Sequence, residues 1–178
     1  SILFFKKAID ISPYNTPALL QLAHAYRATN DKNSSNMERN ILEFILSFDP
    51  KNVQALSFLV KNLSSSDRGR DAAIIFKRLK NSFEYFKNRD NFGPYHQLVG
   101  YVATSVADYK YARYIYNDAV DRFPTSENYI LLASLEFDYL NNKELAIRLF
   151  KKALLLDPVN IKNKFINSLI LDYESNVK

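Results

Sequence analysis

Side chains that could perform acid–base or metal chemistry are few and scattered in this sequence. His24 and His96 are its only histidines, and neither has a second ligand-type residue at the spacing that a metal site needs. Cysteine is absent, which excludes disulfides, thiolate metal sites and a cysteine nucleophile. We therefore expect no metal and no cofactor, and we expect both histidines to lie at the surface or at a junction between elements.

Catalytic motifs are also absent from the sequence. It contains no Gly-x-Ser-x-Gly elbow, no phosphate-cradling glycine loop and no His-Glu-x-x-His helix. Carboxylates such as Glu127 and Glu136 occur together in helical segments, but general acid–base catalysis also needs a pocket, which the pattern does not indicate. We expect a protein that is not an enzyme.

Two clusters raise the alternative of nucleic-acid contact. Residues 67–90 hold seven Lys or Arg and four Asp or Glu, a net charge of +3. Phosphate binding needs several unopposed cations, so a solvated helix face with ion pairs is the favoured interpretation. Four tyrosines within residues 109–116 alternate with Lys110 and Arg113 like a base-stacking platform, but the same rings can pack at a helix junction. The sequence favours a protein partner, with nucleic acid contacted only through a larger complex.

Composition indicates a helical chain with a continuous core. Apolar residues make up 47% of the 178 positions, and only three glycines occur, which disfavours a β-sandwich rich in tight turns. No apolar run approaches the roughly 18 residues that cross a bilayer, so we expect no membrane insertion. Residues 1–5 already follow a helical apolar pattern, and we expect the chain to be an excerpt from a longer protein.

The elements that position these residues are indicated by a repeated spacing. Small residues, an aromatic ring and a closing proline recur 34 residues apart, with internal steps of four, three and five. A period of this size predicts stacked two-helix units. The positions are Ala146, Phe150, Ala153 and Pro158, then Ala112, Tyr116, Ala119 and Pro124, with a partial copy at Ala72 and Phe76.

This spacing divides the chain into units and predicts about ten helices. We predict one solenoid over residues 1–178 that ends in a capping helix, whose inner stripe is Phe165, Ile166, Leu169, Ile170 and Tyr173. The predicted units are 1–15 (the second helix of an incomplete unit), 16–52, 53–92 (with a C-terminal extension), 93–126, 127–160 and 161–178 (the capping helix).

Local signals predict three details of these helices. Thr16 is the expected N-cap before Pro17. Residues 30–36 are expected to form a polar loop before a helix that begins at Met37. Gly100 lies inside a predicted helix, where glycine costs roughly 1 kcal/mol relative to alanine, so we expect a neighbouring helix to approach closely there.

These positions resemble the tetratricopeptide repeat, a helix pair that carries small residues, an aromatic ring and a closing proline at these intervals. The resemblance covers nearly the whole chain and implies an all-α, right-handed α-solenoid of stacked antiparallel helix pairs. Residues 112–116 and 135–136 also resemble the related half-a-tetratricopeptide repeat of RNA-processing scaffolds. The family's usual first-helix tryptophan is replaced by Leu19, Leu56, His96 and Ile130.

The resemblance implies that the first helix of each pair lines a concave groove, polar in its first half and apolar in its second. Such a groove suits a partner's peptide or amphipathic helix, so we expect an adaptor or assembly scaffold. The alternatives are an RNA-processing scaffold and burial of the apolar residues under the chain's own elements. The expected groove residues are His24, Arg27, Phe58, Lys61, Gln97, Tyr101, Leu131, Leu132, Leu135 and Tyr139.

Overall fold

The computed structural model describes residues 2–29, 32–89, 92–159 and 162–176, and these residues form ten α-helices and no β-strand. The all-α class predicted from the sequence is therefore confirmed. None of these helices is both long enough and apolar enough to cross a bilayer. In chain order they are α1 (Ile2–Ile11), α2 (Thr16–Arg27), α3 (Lys32–Phe48), α4 (Val53–Ser64), α5 (Gly69–Phe86), α6 (Gly93–Ser105), α7 (Tyr109–Arg122), α8 (Ser126–Asp138), α9 (Lys143–Leu156) and α10 (Asn163–Asn176).

The chain divides into two compact units, Ser1–Arg89 and Asp90–Lys178. In the first unit α2 pairs with α3 and α4 pairs with α5, while α1 packs on α2. In the second unit α6 pairs with α7 and α8 pairs with α9, while α10 packs on α9. The repeat boundaries and the single solenoid over residues 1–178 stay predictions.

The small residues of the repeated spacing lie in the interfaces between helices. A buried alanine lets the neighbouring helix approach closely and leaves no void for a larger side chain. Pro124 and Pro158, which follow α7 and α9, are exposed. The buried positions of this spacing are Ala72, Phe76, Ala112, Tyr116, Ala119, Ala146, Phe150 and Ala153.

Gly100 marks the closest approach within the α6–α7 pair. A Cβ atom at this position would lie 2.3 Å from Cε1 of Tyr116, a distance that real Cβ contacts do not show. The Tyr116 ring is only 4% exposed and therefore has little space into which it can move. Burial raises the pKa of the Tyr116 hydroxyl to about 12, although a hydrogen bond with Thr104 acts in the opposite direction.

The turns inside three helix pairs share one backbone conformation. Asp67, Ala107 and Asn141 have φ values of 55°, 59° and 52°, in the left-handed region that closes many helix C-termini. Asp and Asn tolerate this region better than other residues that carry a Cβ atom. The same turn therefore reverses the chain in the α4–α5, α6–α7 and α8–α9 pairs.

Two predicted helix starts need correction. Asn15, and not Thr16, caps α2, because its Oδ1 accepts a hydrogen bond from the Ala18 amide at 3.1 Å. Helix α3 begins at Lys32, and not at Met37. Its polar first turns are held by hydrogen bonds from Asn62 of α4, whose Nδ2 donates to the Ser35 carbonyl oxygen at 3.0 Å and to Glu38 Oε2 at 2.9 Å.

The inner face of α10 also differs from the predicted stripe. Ile166 and Ile170 are buried, at 1% and 7% exposure, and they fix the helix to the second unit. Phe165 was predicted to lie inside but is 67% exposed. Because Phe165 immediately precedes Ile166, it cannot lie on the same face of the helix.

The close contact at Gly100 predicts that one added methyl group at this position destabilises the protein. Gly100→Ala should lower the free energy of unfolding by about 1–3 kcal/mol, because the new Cβ overlaps the buried Tyr116 ring. Urea denaturation followed by circular dichroism measures the change. The control is Gly69→Ala, where no atom lies within 4 Å of the added Cβ, and it should not destabilise the protein. Equal effects of the two substitutions would contradict this packing.

Candidate functional site

Two of the expected groove residues in the first unit are engaged in internal contacts. Arg27 forms an ion pair with Glu38, and its Nε donates to Glu38 Oε1 at 2.7 Å. Its Nη2 also donates to the Phe58 carbonyl oxygen at 3.3 Å, and the guanidinium lies 4.6 Å from the centroid of the Phe58 ring. Arg27 and Phe58 therefore hold α2, α3 and α4 together.

Asn62 completes this buried polar network. Its Nδ2 donates to Glu38 Oε2 at 2.9 Å and to the Ser35 carbonyl oxygen at 3.0 Å. Its Oδ1 accepts from Arg39 Nε at 3.1 Å. A buried carboxylate is tolerated only when it is paired and hydrogen-bonded, and both Glu38 oxygens meet this condition.

Lys61 and His24 differ in their surroundings. Burial and the neighbouring Arg27 charge hold the pKa of Lys61 below its ordinary value, while Glu38 acts in the opposite direction. His24 is exposed on α2. Apart from Phe58, the side chains expected to line the groove in this unit are therefore polar, and the Glu38 carboxylate acts on both Arg27 and Lys61.

The polar residues of the second unit are also partly engaged. Gln97 donates to Asn128 Oδ1 at 2.9 Å, and Asn128 donates to the Phe123 carbonyl oxygen at 2.7 Å. Tyr101 and Tyr139 are 53% and 51% exposed. Both tyrosines therefore present large amphipathic side chains to solvent.

Of the three expected leucines of α8, only Leu131 is accessible to a partner. Leu132 and Leu135 are each 2% exposed, so their side chains belong to the core. Their assignment to the groove is corrected, because a partner cannot contact a residue that the chain itself covers. Leu131 is half-buried and lines an open cavity.

This cavity, here called the α8–α10 groove, has a volume of about 600 Å³. Pockets of 300–1,000 Å³ are typical of ligand sites. Helix α8 forms one wall, α10 forms the other, and Phe150 of α9 contributes to the lining. The residues that line it are Ile130, Leu131, Ser134, Phe137, Asp138, Phe150, Lys162, Phe165, Ile166 and Leu169.

The chemistry of the groove is apolar along its length and charged near its ends. Lys162 Nζ lies 3.6 Å from Glu127 Oε1, which brings the N-terminal ends of α8 and α10 together. Asp138 lies at the opposite end of α8 and is exposed. Such a surface can bury the apolar side chains of a ligand.

The sequence did not reveal the second wall of this groove. The sequence predicts a capping helix here, with Phe165 and Leu169 in its inner stripe. Their spacing of four residues places them on one face of a helix. That spacing was the signal available, but it does not distinguish a face that meets the core from one that lines an open groove.

The clusters considered for nucleic acid are mostly engaged within the chain. Arg68 pairs with Asp71 at 2.6 Å and Lys87 pairs with Glu84 at 2.7 Å. The tyrosines of residues 109–116 do not form one platform. Tyr116 is buried and Tyr109 stacks on Tyr139, while Tyr111 and Tyr114 pack against each other at a tilt.

His96 lies in a junction between α6 and α7. Its Nε2 is 2.7 Å from Asp118 Oδ2, and its Nδ1 is 3.2 Å from the Phe92 carbonyl oxygen. Burial alone would raise the pKa of Asp118, but hydrogen bonds from His96 and Arg122 outweigh it and hold that pKa below its ordinary value of 3.8. Among the described residues no group of three potential ligands could hold a metal ion.

Comparison with known proteins identifies the type of fold. The paired helices with small residues at their interfaces define an all-α protein built from helical-hairpin repeats. No protein-family model matches the chain, and no curated protein sequence matches it. Solved structures do match, and their similarity confirms that the fold is of the tetratricopeptide-repeat type.

Three of these structures show the extent of the similarity. TTC0263, a thermophilic tetratricopeptide-repeat protein of Thermus thermophilus, is 18% identical with a TM-score of 0.72, over 96% of this chain and 89% of that chain. A MamA structure is 19% identical with a TM-score of 0.60, over 88% of this chain and 86% of that one. MamA of Desulfovibrio magneticus is 20% identical with a TM-score of 0.56, over 88% of both chains.

The polar network around Glu38 predicts that the stability of the protein depends strongly on this carboxylate. Glu38→Ala should lower the free energy of unfolding by about 3 kcal/mol, because it removes the buried carboxylate that pairs with Arg27 and accepts a hydrogen bond from Asn62. The control is Glu144→Ala, which removes an exposed pair with Arg148 and should cost less than about 0.5 kcal/mol. Comparable losses in urea denaturation would show that the network contributes no more than a surface pair.

The depressed pKa of Asp118 predicts an acid-sensitive contribution to stability. Its stabilising effect is complete above the unfolded value of 3.8 and is lost as the pH falls through the lower folded value. The difference in free energy of unfolding between the wild type and Asp118→Asn should therefore shrink in acid. Urea denaturation over a pH series measures it, with the exposed Asp121→Asn of the same helix as control. A difference that stays constant or grows in acid would contradict the assignment.

Proposed function

We propose that the protein is a non-enzymatic scaffold that binds an amphipathic helix or hydrophobic peptide of a partner protein in the α8–α10 groove. The observation that carries this proposal is the groove itself, with its volume of about 600 Å³ and apolar walls. An apolar groove between helices is a recurrent docking surface for an amphipathic helix.

Among the residues that line the groove, Phe165 would contribute the most binding free energy when a partner covers it. Its side chain is 67% exposed beside the half-buried Leu131 and Leu169. Burial of apolar surface contributes roughly 25 cal/mol per Å², and aromatic residues dominate the energetics of many interfaces. A partner that covers Phe165 would therefore gain more than one that contacts only the rim.

The frame of the groove is preorganised. Helices α8 and α9 pack through Ala133, Ala146 and Ala153, each of which has no exposed surface. Ile166 and Ile170 fix α10. Because these elements are already ordered, the partner bears most of the entropic cost of association.

Tyr101 and Tyr139 are proposed as additional contacts in the second unit. Tyr139 follows α8, whereas Tyr101 lies on α6, and both rings are about half exposed. Tyrosine is enriched at protein interfaces because it combines a large apolar surface with a hydroxyl group. The engaged cations and separated tyrosines described above favour a protein partner over nucleic acid.

Leu131 supplies the direct test of this proposal. Helical peptides with apolar residues at i, i+3, i+4 and i+7 are selected from a display library on the full chain, and the affinities of the selected peptides are measured by fluorescence anisotropy. Leu131→Glu should weaken binding at least about 10-fold, because it places a carboxylate in an apolar wall. Helicity should be unchanged, because Leu131 is not a core residue.

The matched control is Leu155→Glu, at a residue that is 82% exposed on α9 and does not line the groove. This variant should bind the selected peptides as the wild type does. Leu135→Glu is unsuitable, because Leu135 is a core residue and its loss would damage the fold. If no peptide is enriched, or if Leu131→Glu binds as well as the wild type, the groove is not the binding site.

A further inference from the structure

We propose that the α8–α10 groove selects an amphipathic helix that carries a basic residue beside its apolar stripe, at the end that meets Asp138. This inference rests on the proposed function and specifies the chemistry of the partner. It follows from the distribution of charge at the two ends of the groove.

One end of the groove is locally neutral. Lys162 and Glu127 lie 3.6 Å apart at the N-terminal ends of α10 and α8, and both side chains are about half exposed. Their opposite charges compensate each other within this pair.

The other end carries a carboxylate that no cation of the described residues pairs with. Asp138 is the last residue of α8, is exposed, and forms no ion pair within the part of the chain that the structure describes. Lys143 is a cation at this end, and it lies over the ring of the adjacent Phe137, 5.7 Å from its centroid, without forming an ion pair with Asp138. The C-terminal end of a helix is also the negative end of its dipole, so α8 adds to the negative potential at Asp138.

The spacing along α8 sets the pattern of the partner. Leu131 and Asp138 are seven residues apart, which corresponds to about two turns and about 10 Å along the helix. A partner helix of two turns would place apolar side chains against Leu131, Phe165 and Leu169. A lysine or arginine beside the apolar stripe, about two turns from the residue that meets Leu131, would then meet Asp138.

The experiment randomises one flanking position of the selected helical peptides. Display on the full chain should enrich Lys and Arg over Asp and Glu at the position that meets Asp138. One peptide is made in a Lys form and a Glu form. The Lys form should bind about fivefold more tightly, because it forms an exposed ion pair with Asp138 where the Glu form meets a like charge.

Charge reversal in the protein identifies the group responsible. Asp138→Lys should invert the preference so that the Glu form of the peptide binds better. The control is Asp121→Lys, the same change of charge at an exposed residue of α7 outside the groove, and it should leave the Lys preference intact.

Failure of this inference is distinguishable from failure of the proposed function. Peptides that depend on Leu131 but show no charge preference, or the same preference in Asp138→Lys, would overturn the inference and leave the groove in place. Absence of any Leu131-dependent peptide would overturn both. A wild-type dimer in sedimentation that Leu131→Glu dissociates would assign the groove to a second copy of the chain and also overturn the inference.

Discussion

The close approach of two helices within each pair is the constraint on which the rest of this structure depends. At Gly100 the partner helix presents a buried tyrosine ring where even a methyl group does not fit. Ala112, Ala119, Ala146 and Ala153 have no exposed surface. Interiors are packed as densely as organic crystals, so these positions accept only small side chains, and the same spacing therefore recurs from one pair to the next.

This packing also determines which side chains are left for a partner. Helix α8 uses Leu132 and Leu135 for the core, and Leu131 is therefore directed away from it. Helix α10 is fixed by Ile166 and Ile170 and keeps Phe165 outside. Each of the two helices buries its more apolar face in the core. Each also carries apolar residues on its other face, and these residues line the groove.

The sequence predicted the helix pairs because their determinants are local and periodic. It failed at the start of α3 because the polar residues there are stabilised by a distant partner. Ser35, which precedes the predicted start, accepts hydrogen bonds from Asn62 of α4 at its carbonyl and hydroxyl oxygens, and no local pattern reveals these bonds. Helix α8 was difficult for a different reason: it carries apolar residues on almost every face, so periodicity cannot separate core residues from groove residues.

Methyl NMR spectra of the full chain, recorded with and without a selected helical peptide, test the central claim most directly. The account predicts that the methyl signals of Leu131, Ile166 and Leu169 shift on titration, while those of Leu42 and Ile45 in the core of the first unit do not. Shifts confined to the first unit, or no shift at a peptide concentration that saturates binding, would contradict it.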